Sequence, residues 1–383
     1  MNKKELTIII YTIIMILSVM YATQPLQPLL AQEFSVSMVK ASSFSAVIML
    51  FLALSPIIYG YILESMNAKK MLIIASIILF FTNIFLGFSN SYGMFLFFRT
   101  CEAIVVPAIL TACMNILANQ KHKVKIQINM SIYVATTVFG GALGRILSGF
   151  IATQFGWRMV FFSLSFGLLL GLVFIFLLKG DKNTNMTKPK IKDISKILKD
   201  KRFFTIYSLM FVLVFVFVGL LNVLPFRIKE IYPQVSETQI GMLYIGYIVG
   251  VLVSLNIHRI INIFGKDFRA IMFGIIICLL CIFCFLSHNP IVIFLMVFAL
   301  CLGQFIVHTI ATRIANSLKK SKKALSSGMY LSFYYMGGTL GTILLPYIYL
   351  NYSWSITIYI LAILLVFILI FTYFNKKNFK AHN

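Results

Sequence analysis

Acidic side chains are scarce in this chain: ten Asp and Glu stand among 383 residues, against 33 Lys and Arg. Charged residues of both signs make up 11%, where a soluble domain carries about 25%. So few charges cannot solvate a globular surface, which excludes a soluble enzyme. Only one long polar stretch exists, from 180 to 202, and it leaves no room for a soluble catalytic domain. There is no G-x-x-x-x-G-K-[ST] loop, so ATP hydrolysis within the chain is not expected. The HExxH, paired Asp and Ser/His patterns of intramembrane hydrolases are also missing, and no enzymatic activity is expected. Ten-residue alternating strands, which a membrane barrel needs, are absent. Cysteines number six. Cys278, Cys281 and Cys284 fall at i, i+3, i+6, but no His or acid lies near them. They are read as small hydrophobes in an apolar helix, and neither a metal nor a cofactor is expected.

What is present is apolar length. The chain is 60% hydrophobic and holds 37 Phe. Runs of about 20 apolar residues follow one another, each long enough for a hydrocarbon core of roughly 30 Å. Twelve spans are predicted, at 6–30, 38–61, 70–89, 92–117, 127–153, 157–178, 203–226, 238–257, 269–287, 290–315, 326–350 and 354–375. The first exceeds a signal-peptide core and has no small-residue cleavage site, so it is expected to be retained. With both termini on one side, 27 of the 33 basic residues fall on that side. Four, Lys40, Arg158, Arg227 and Lys229, fall opposite, and Arg99 and Arg145 lie within spans. The positive-inside rule then places both termini in the cytoplasm. The net charge of +23 reports topology and contact with anionic lipid, and nucleic acid is not an expected partner.

The chain also repeats itself. IYVATTVFGGALGRIL (132–147) and MYLSFYYMGGTLGTIL (329–344) lie 197 residues apart, and the register holds downstream, where Trp157 matches Trp354. Six spans, a basic linker and six more give two like-oriented repeats, an arrangement of secondary transporters. The expected organisation is a half at 1–179, a cytoplasmic linker at 180–202 and a half at 203–383. Within the linker, Ile191, Ile194, Ile197 and Leu198 alternate with lysines at helical spacing, as in an interfacial helix.

Three motifs carry a family resemblance. The loop after span 2 reads GYILESMNAKK (60–70), span 4 carries RTCEA (99–103), and span 5 carries GGALGRILSG (140–149). With them, the whole chain resembles the major facilitator superfamily in its twelve-helix drug/proton antiporter branch, and most of all its YnfM-like inner-membrane transporters. The resemblance implies an all-α polytopic fold of two six-helix repeats in a bacterial cytoplasmic membrane. It also implies alternating access, a small-molecule substrate, protons and the lipid bilayer as partners, and a monomer. The activity it implies is proton-coupled efflux of amphipathic compounds, with uptake of a sugar, organic acid or other nutrient as the alternative.

Against the family's loop motif G-x-L-a-D-r-x-G-r-k, Gly60, Glu64, Lys69 and Lys70 match and Asn67 replaces the second Gly. An acid at one helix end and bases at the next form a charge latch, or else simply the ordinary positive loop. Gly140, Gly144 and Gly149 follow the antiporter pattern on span 5, with Arg145 where Pro is usual. Gly337 and Gly341 repeat it on span 11. Such small residues allow close helix approach, expected here at the seam between the halves. On span 4, Arg99 and Glu102 share a helix face. Glu102 is the one acid placed deep in the membrane, and an ionisable residue there is a functional candidate by default. It either carries the coupled proton or forms a static pair with Arg99. Arg145 lies at similar depth and is expected to share Glu102 or to snorkel. By resemblance, spans 1, 4, 7 and 10 line the cavity. That brings in Tyr21, Gln24, Gln27, Asn115, Asn222, Gln304 and His308, the last either a proton carrier or a hydrogen-bonded spectator. Tyr330, Tyr334 and Tyr335 on span 11 would add an aromatic wall.

Overall fold

The computed structural model describes residues 3–65, 67–118, 123–178, 195, 197–317 and 323–379. Among them are helices and no strand. The helices are α1 (Lys3–Tyr21), α2 (Gln27–Glu33), α3 (Met38–Ser65), α4 (Ala68–Gly87), α5 (Tyr92–Ala118), α6 (Lys123–Phe155) and α7 (Trp157–Phe176). Then follow α8 (Lys201–Ile231), α9 (Glu237–Met242), α10 (Tyr247–Phe264), α11 (Asp267–Cys284), α12 (Pro290–Ser317), α13 (Lys323–Asn351) and α14 (Trp354–Phe374). Among the described residues, eleven helical stretches are long and apolar enough to cross a membrane. α13 is not counted with them; it has 29 residues and is richer in Tyr, Ser and Gly. Large apolar side chains such as Phe97, Phe166, Leu280, Ile363 and Phe374 are exposed, as lipid-facing residues must be.

The chain folds as two compact units, Met1–Lys188 with Gln234–Tyr244, and Pro189–Pro233 with Ile245–Asn383. In the first, α1 packs chiefly on α6, and α4 on α5 and α7. In the second, α8 packs on α13, and α12 on α11 and α10. The expected linker helix falls largely outside the described residues, since 180–194 and 196 are not among them.

Two predicted spans are broken. Span 1 becomes α1 and α2, separated by the turn Ala22–Leu26. Pro25 has no N–H to continue the ladder, and Gln24 N–H turns back to the Tyr21 carbonyl at 3.1 Å. Span 8 becomes α9, a 3-10 turn (Leu243–Gly246) and α10. α9 starts with a capping box, in which Ser236 and Gln239 each accept the other's backbone N–H. It packs on α6, where a Cβ at Gly149 would strike the Glu237 carbonyl and a Cβ at Gly241 the Arg145 carbonyl.

Candidate functional site

The break after α1 prepares a cation site. The last carbonyls of a helix have no partner within it. Ala22 N–H takes the Ser18 carbonyl and Gln24 N–H takes that of Tyr21. The Val19 and Met20 carbonyls are filled by Arg99 of α5, through Nη1 and Nη2, both at 3.2 Å. Arg99 Nε donates to the Phe44 carbonyl of α3 and Nη2 also donates to Thr23 Oγ1, again at 3.2 Å. Nη1 meets Glu102 Oε2 at 2.5 Å, and both side chains are fully buried. Asn83 of α4 donates to the other carboxylate oxygen of Glu102 at 2.7 Å. All five guanidinium N–H groups therefore have acceptors, four of which do not depend on Glu102. Helices α1, α3, α4 and α5 converge on this pair.

Arg145 is elsewhere. Its guanidinium lies 3.7 Å from the Tyr21 ring centroid and 4.8 Å from that of Tyr244. Nε donates to Gln24 Oε1 at 2.7 Å and Nη1 to the Gly141 carbonyl at 2.8 Å. The expected sharing of Glu102 does not occur, because Gln24 and two aromatic faces solvate this cation and Arg99 already holds the carboxylate. Arg145 does not snorkel either; it is 2% exposed.

The second unit has a different polar group. Tyr330 Oη lies 2.9 Å from His308 Nδ1 and accepts from Thr312 Oγ1 at 3.1 Å. The Tyr334 ring centroid is 5.0 Å from that of His308. Tyr334 stacks edge-on with Tyr335 at 5.2 Å. One helical turn before His308, Gln304 is buried, and neither atom of its amide has a hydrogen-bond partner among the described residues. Asn222 and Asn115 are buried on α8 and α5. Gln27 donates to Ser45 Oγ at 2.7 Å and ties α2 to α3.

The motif residues are distributed differently from the expectation. A Cβ at Gly140 would meet the Ile14 backbone and one at Gly144 the Ser18 backbone. Those two glycines bring α6 against α1 inside the first unit, while Gly149 faces Glu237, a residue of the expected second half. Gly337 and Gly341 likewise meet the Phe211 and Phe215 backbones of α8. Lys69 Nζ caps α7, donating to the Phe176 carbonyl at 3.0 Å and also to that of Leu178. Lys70 is exposed. Gly60 and Glu64 lie outside the residues whose side chains are described. A second charge contact, not foreseen, joins Asp267 at the start of α11 to Arg313 of α12.

Sequence reasoning missed Asn83, Thr23 and Tyr244. Asn83 carried a usable signal, as the single Asn in the mostly apolar span 70–89. Tyr244 carried none, since its role depends on α9 packing against α6.

Apolar helices long enough to cross a membrane, with an ion pair buried among them, define a polytopic membrane protein. The sequence model of the Major Facilitator Superfamily matches residues 8–307 and 232–383, and the chain belongs to that family. It is 22% identical to an uncharacterised transporter of Buchnera aphidicola (subspecies Schizaphis graminum), over 92% of this chain and 87% of the relative. It is also 22% identical to the inner membrane transport protein YnfM of Escherichia coli, over 92% and 86%. A bacterial homologue of the human lysosomal transporter Spinster, solved in an inward-facing and occupied conformation, shares the fold. The TM-score is 0.81 at 13% identity, over 97% of this chain and 96% of that one.

Proposed function

We propose that this transporter couples the export of small amphipathic compounds to protons, with Glu102 as the proton carrier. One observation carries the reading: Arg99 is anchored by four acceptors that remain when Glu102 is neutralised. Protonation of Glu102 removes the ion pair while Arg99 keeps its carbonyls and Thr23. The energy of the event is thus confined to the carboxylate and to the helices that hold it, α4 and α5. A ligand shifts a conformational equilibrium only through differential affinity for the two states, and a proton on Glu102 has that property if one state separates it from Arg99.

In the same reading the halves are 1–179 and 203–383, joined by 180–202, with both termini in the cytoplasm. The protein works as a monomer in a bacterial cytoplasmic membrane. The polar and aromatic residues of the second unit, Gln304, His308, Tyr330 and Tyr334, contact substrate. Gln304 is the best supported of them, because an amide buried without partners is favourable only if something completes it.

The test is proton movement in inverted vesicles with an acid interior, challenged with lipophilic cations, anions and metabolites. Proton release on addition of a compound, absent in Glu102→Gln, is the expected result. Full proton-driven transport by Glu102→Gln would reject the role of that carboxylate.

A further inference from the structure

Residues 234–244 stand within the second repeat of the sequence, yet they pack with the first unit. The chain leaves the second unit after Pro233 and returns to it at Ile245. Neither crossing is α-helical. α8 ends at Ile231 and α9 starts at Glu237, and the 3-10 turn Leu243–Gly246 separates α9 from α10.

On the first-unit side, α9 rests in a seat on α6 made by small residues. A Cβ at Gly149 would strike the Glu237 carbonyl, and one at Gly241 would lie 2.8 Å from the Arg145 carbonyl. Thr238 N–H donates to Thr153 Oγ1 at 3.0 Å, and the Thr238 hydroxyl donates to the Gly149 carbonyl at 3.4 Å. Tyr244 is buried with its ring centroid 4.8 Å from the Arg145 guanidinium, a cation–aromatic attraction strengthened by desolvation. Two residues later the second unit takes hold. A Cβ at Gly246 would lie 3.0 Å from Val297 Cγ1 of α12, and one at Gly250 would strike the Phe305 ring. Before α9, the Tyr232 hydroxyl donates to the His288 carbonyl at 2.9 Å, within the second unit. The segment is thus fixed to one unit and its neighbours on both sides to the other.

The internal repeat shows that the fold does not require this. At the 197-residue offset, α9 and its 3-10 turn correspond to residues 40–49, which lie inside the unbroken α3 and stay in the first unit. Gly149 and Thr153 correspond to Pro346 and Leu350 of α13, so the second copy has neither the glycine nor the hydroxyl of the seat. A 3-10 stretch inside a helix has poorer hydrogen-bond geometry and often marks a hinge. We propose that residues 234–244 are a strap that travels with the first unit. The chain then hinges at Leu243–Gly246 and at the connection before α9 when the two units move against each other. Arg145 is the latch that keeps Tyr244, the last residue of the strap, on α6. The α6–α9 contact stays closed throughout the movement. This needs only that the units move, and neither the proton nor the export role proposed above.

The experiment is pulsed electron–electron double resonance on the full-length protein in lipid nanodiscs. Spin labels are attached through an azide-bearing residue, which leaves the native thiols untouched. Three exposed positions are labelled in pairs: Phe88 in the first unit, Gln234 at the start of the strap and Tyr352 in the second unit. The Phe88–Tyr352 and Gln234–Tyr352 distances should each spread over about 5 Å or more, while Phe88–Gln234 stays within about 2 Å. Gly149→Ala should unseat the strap and widen Phe88–Gln234 toward the other two. If that variant does not fold, the three distances in the unaltered backbone still decide the matter. A narrow Gln234–Tyr352 distance with a wide Phe88–Gln234 distance would assign the strap to the second unit and overturn the proposal. Three narrow distances, or an unchanged Phe88–Gln234 spread in folded Gly149→Ala, would overturn it as well.

Discussion

Helices α6 and α13 are two copies of one solution to the same packing problem, used to different ends. Gly140 meets Ile14 and Gly144 meets Ser18, while Gly337 meets Phe211 and Gly341 meets Phe215. Every one of these pairs keeps the 197-residue offset, so the repeat conserves backbone contacts and not merely residue types. One position after the second glycine the copies diverge, to Arg145 in one and Thr342 in the other. The first unit surrounds Arg145 with Tyr21 and Gln24; the counterparts at the same offset are Val218 and Leu221, which could not solvate a cation. The buried Arg99–Glu102 pair and the separately solvated Arg145 belong to the first unit, and the group of Gln304, His308 and Tyr330 to the second. Packing is duplicated in this molecule, whereas its polar chemistry is divided.

The sharpest way to test that division is to delete one polar partner from each unit. Arg99→Ala leaves the Glu102 carboxylate buried without its cation and the Val19 and Met20 carbonyls without donors. Breaking a buried pair in this way costs about 3–5 kcal/mol. His308→Leu removes a neutral hydrogen bond, worth about 0.5–1.5 kcal/mol. Denaturant unfolding of both variants in detergent should show the larger loss in the first unit. Comparable losses would mean that the second unit hides an equivalent electrostatic dependence.

The shared half of the comparison yields a smaller but more symmetrical effect. Gly144→Ala and Gly341→Ala each drive a methyl into backbone atoms of the facing helix, which cannot swing aside as a side chain can. Overpacking of this kind costs about 1–3 kcal/mol. Both melting temperatures should fall by similar amounts, with Gly93→Ala as a control where nothing lies within 4 Å. A clear inequality between Gly144→Ala and Gly341→Ala would show that one of the two contacts is made only part of the time.

Much of the fold was legible because membrane spans are written in composition. Residues 157–178 were expected to span, and α7 occupies Trp157–Phe176. The breaks in spans 1 and 8 were not foreseen, for different reasons. Pro25 is the local mark of the first break, inside an apolar run long enough to read as one span. Nothing local marks the 3-10 turn at Leu243–Gly246, which accompanies the packing of α9 on α6. The pairing of Arg99 with Glu102 followed from i, i+3 spacing alone. The acceptors that fix Arg99 did not, because they are carbonyls and carry no signature in the side-chain sequence. Arg145 shows the limit most clearly: its depth was legible, while its partners Tyr21, Gln24 and Tyr244 come from the end of α1, the turn after it and the 3-10 turn after α9.

The smallest expected effect isolates a single hydrogen bond. Trp157 and Trp354 stand at equivalent positions and are equally buried, at 5% exposure each. Trp354 Nε1–H donates to the Phe285 carbonyl at 2.7 Å. Trp157 Nε1–H is buried with no partner among the described residues. Substitution by Phe removes similar apolar area at both sites, so the area term cancels in the difference. At Trp354 the change also strips a buried carbonyl of its donor, whereas at Trp157 it removes a polar atom whose burial was uncompensated. Trp354→Phe should therefore destabilise by about 1 kcal/mol more than Trp157→Phe, measured as a difference in unfolding free energy under identical detergent conditions. Equal destabilisation would mean that a partner, such as an ordered water, completes the Trp157 donor in solution. The two tryptophans would then match in their hydrogen bonding as closely as α6 and α13 match in their glycine contacts.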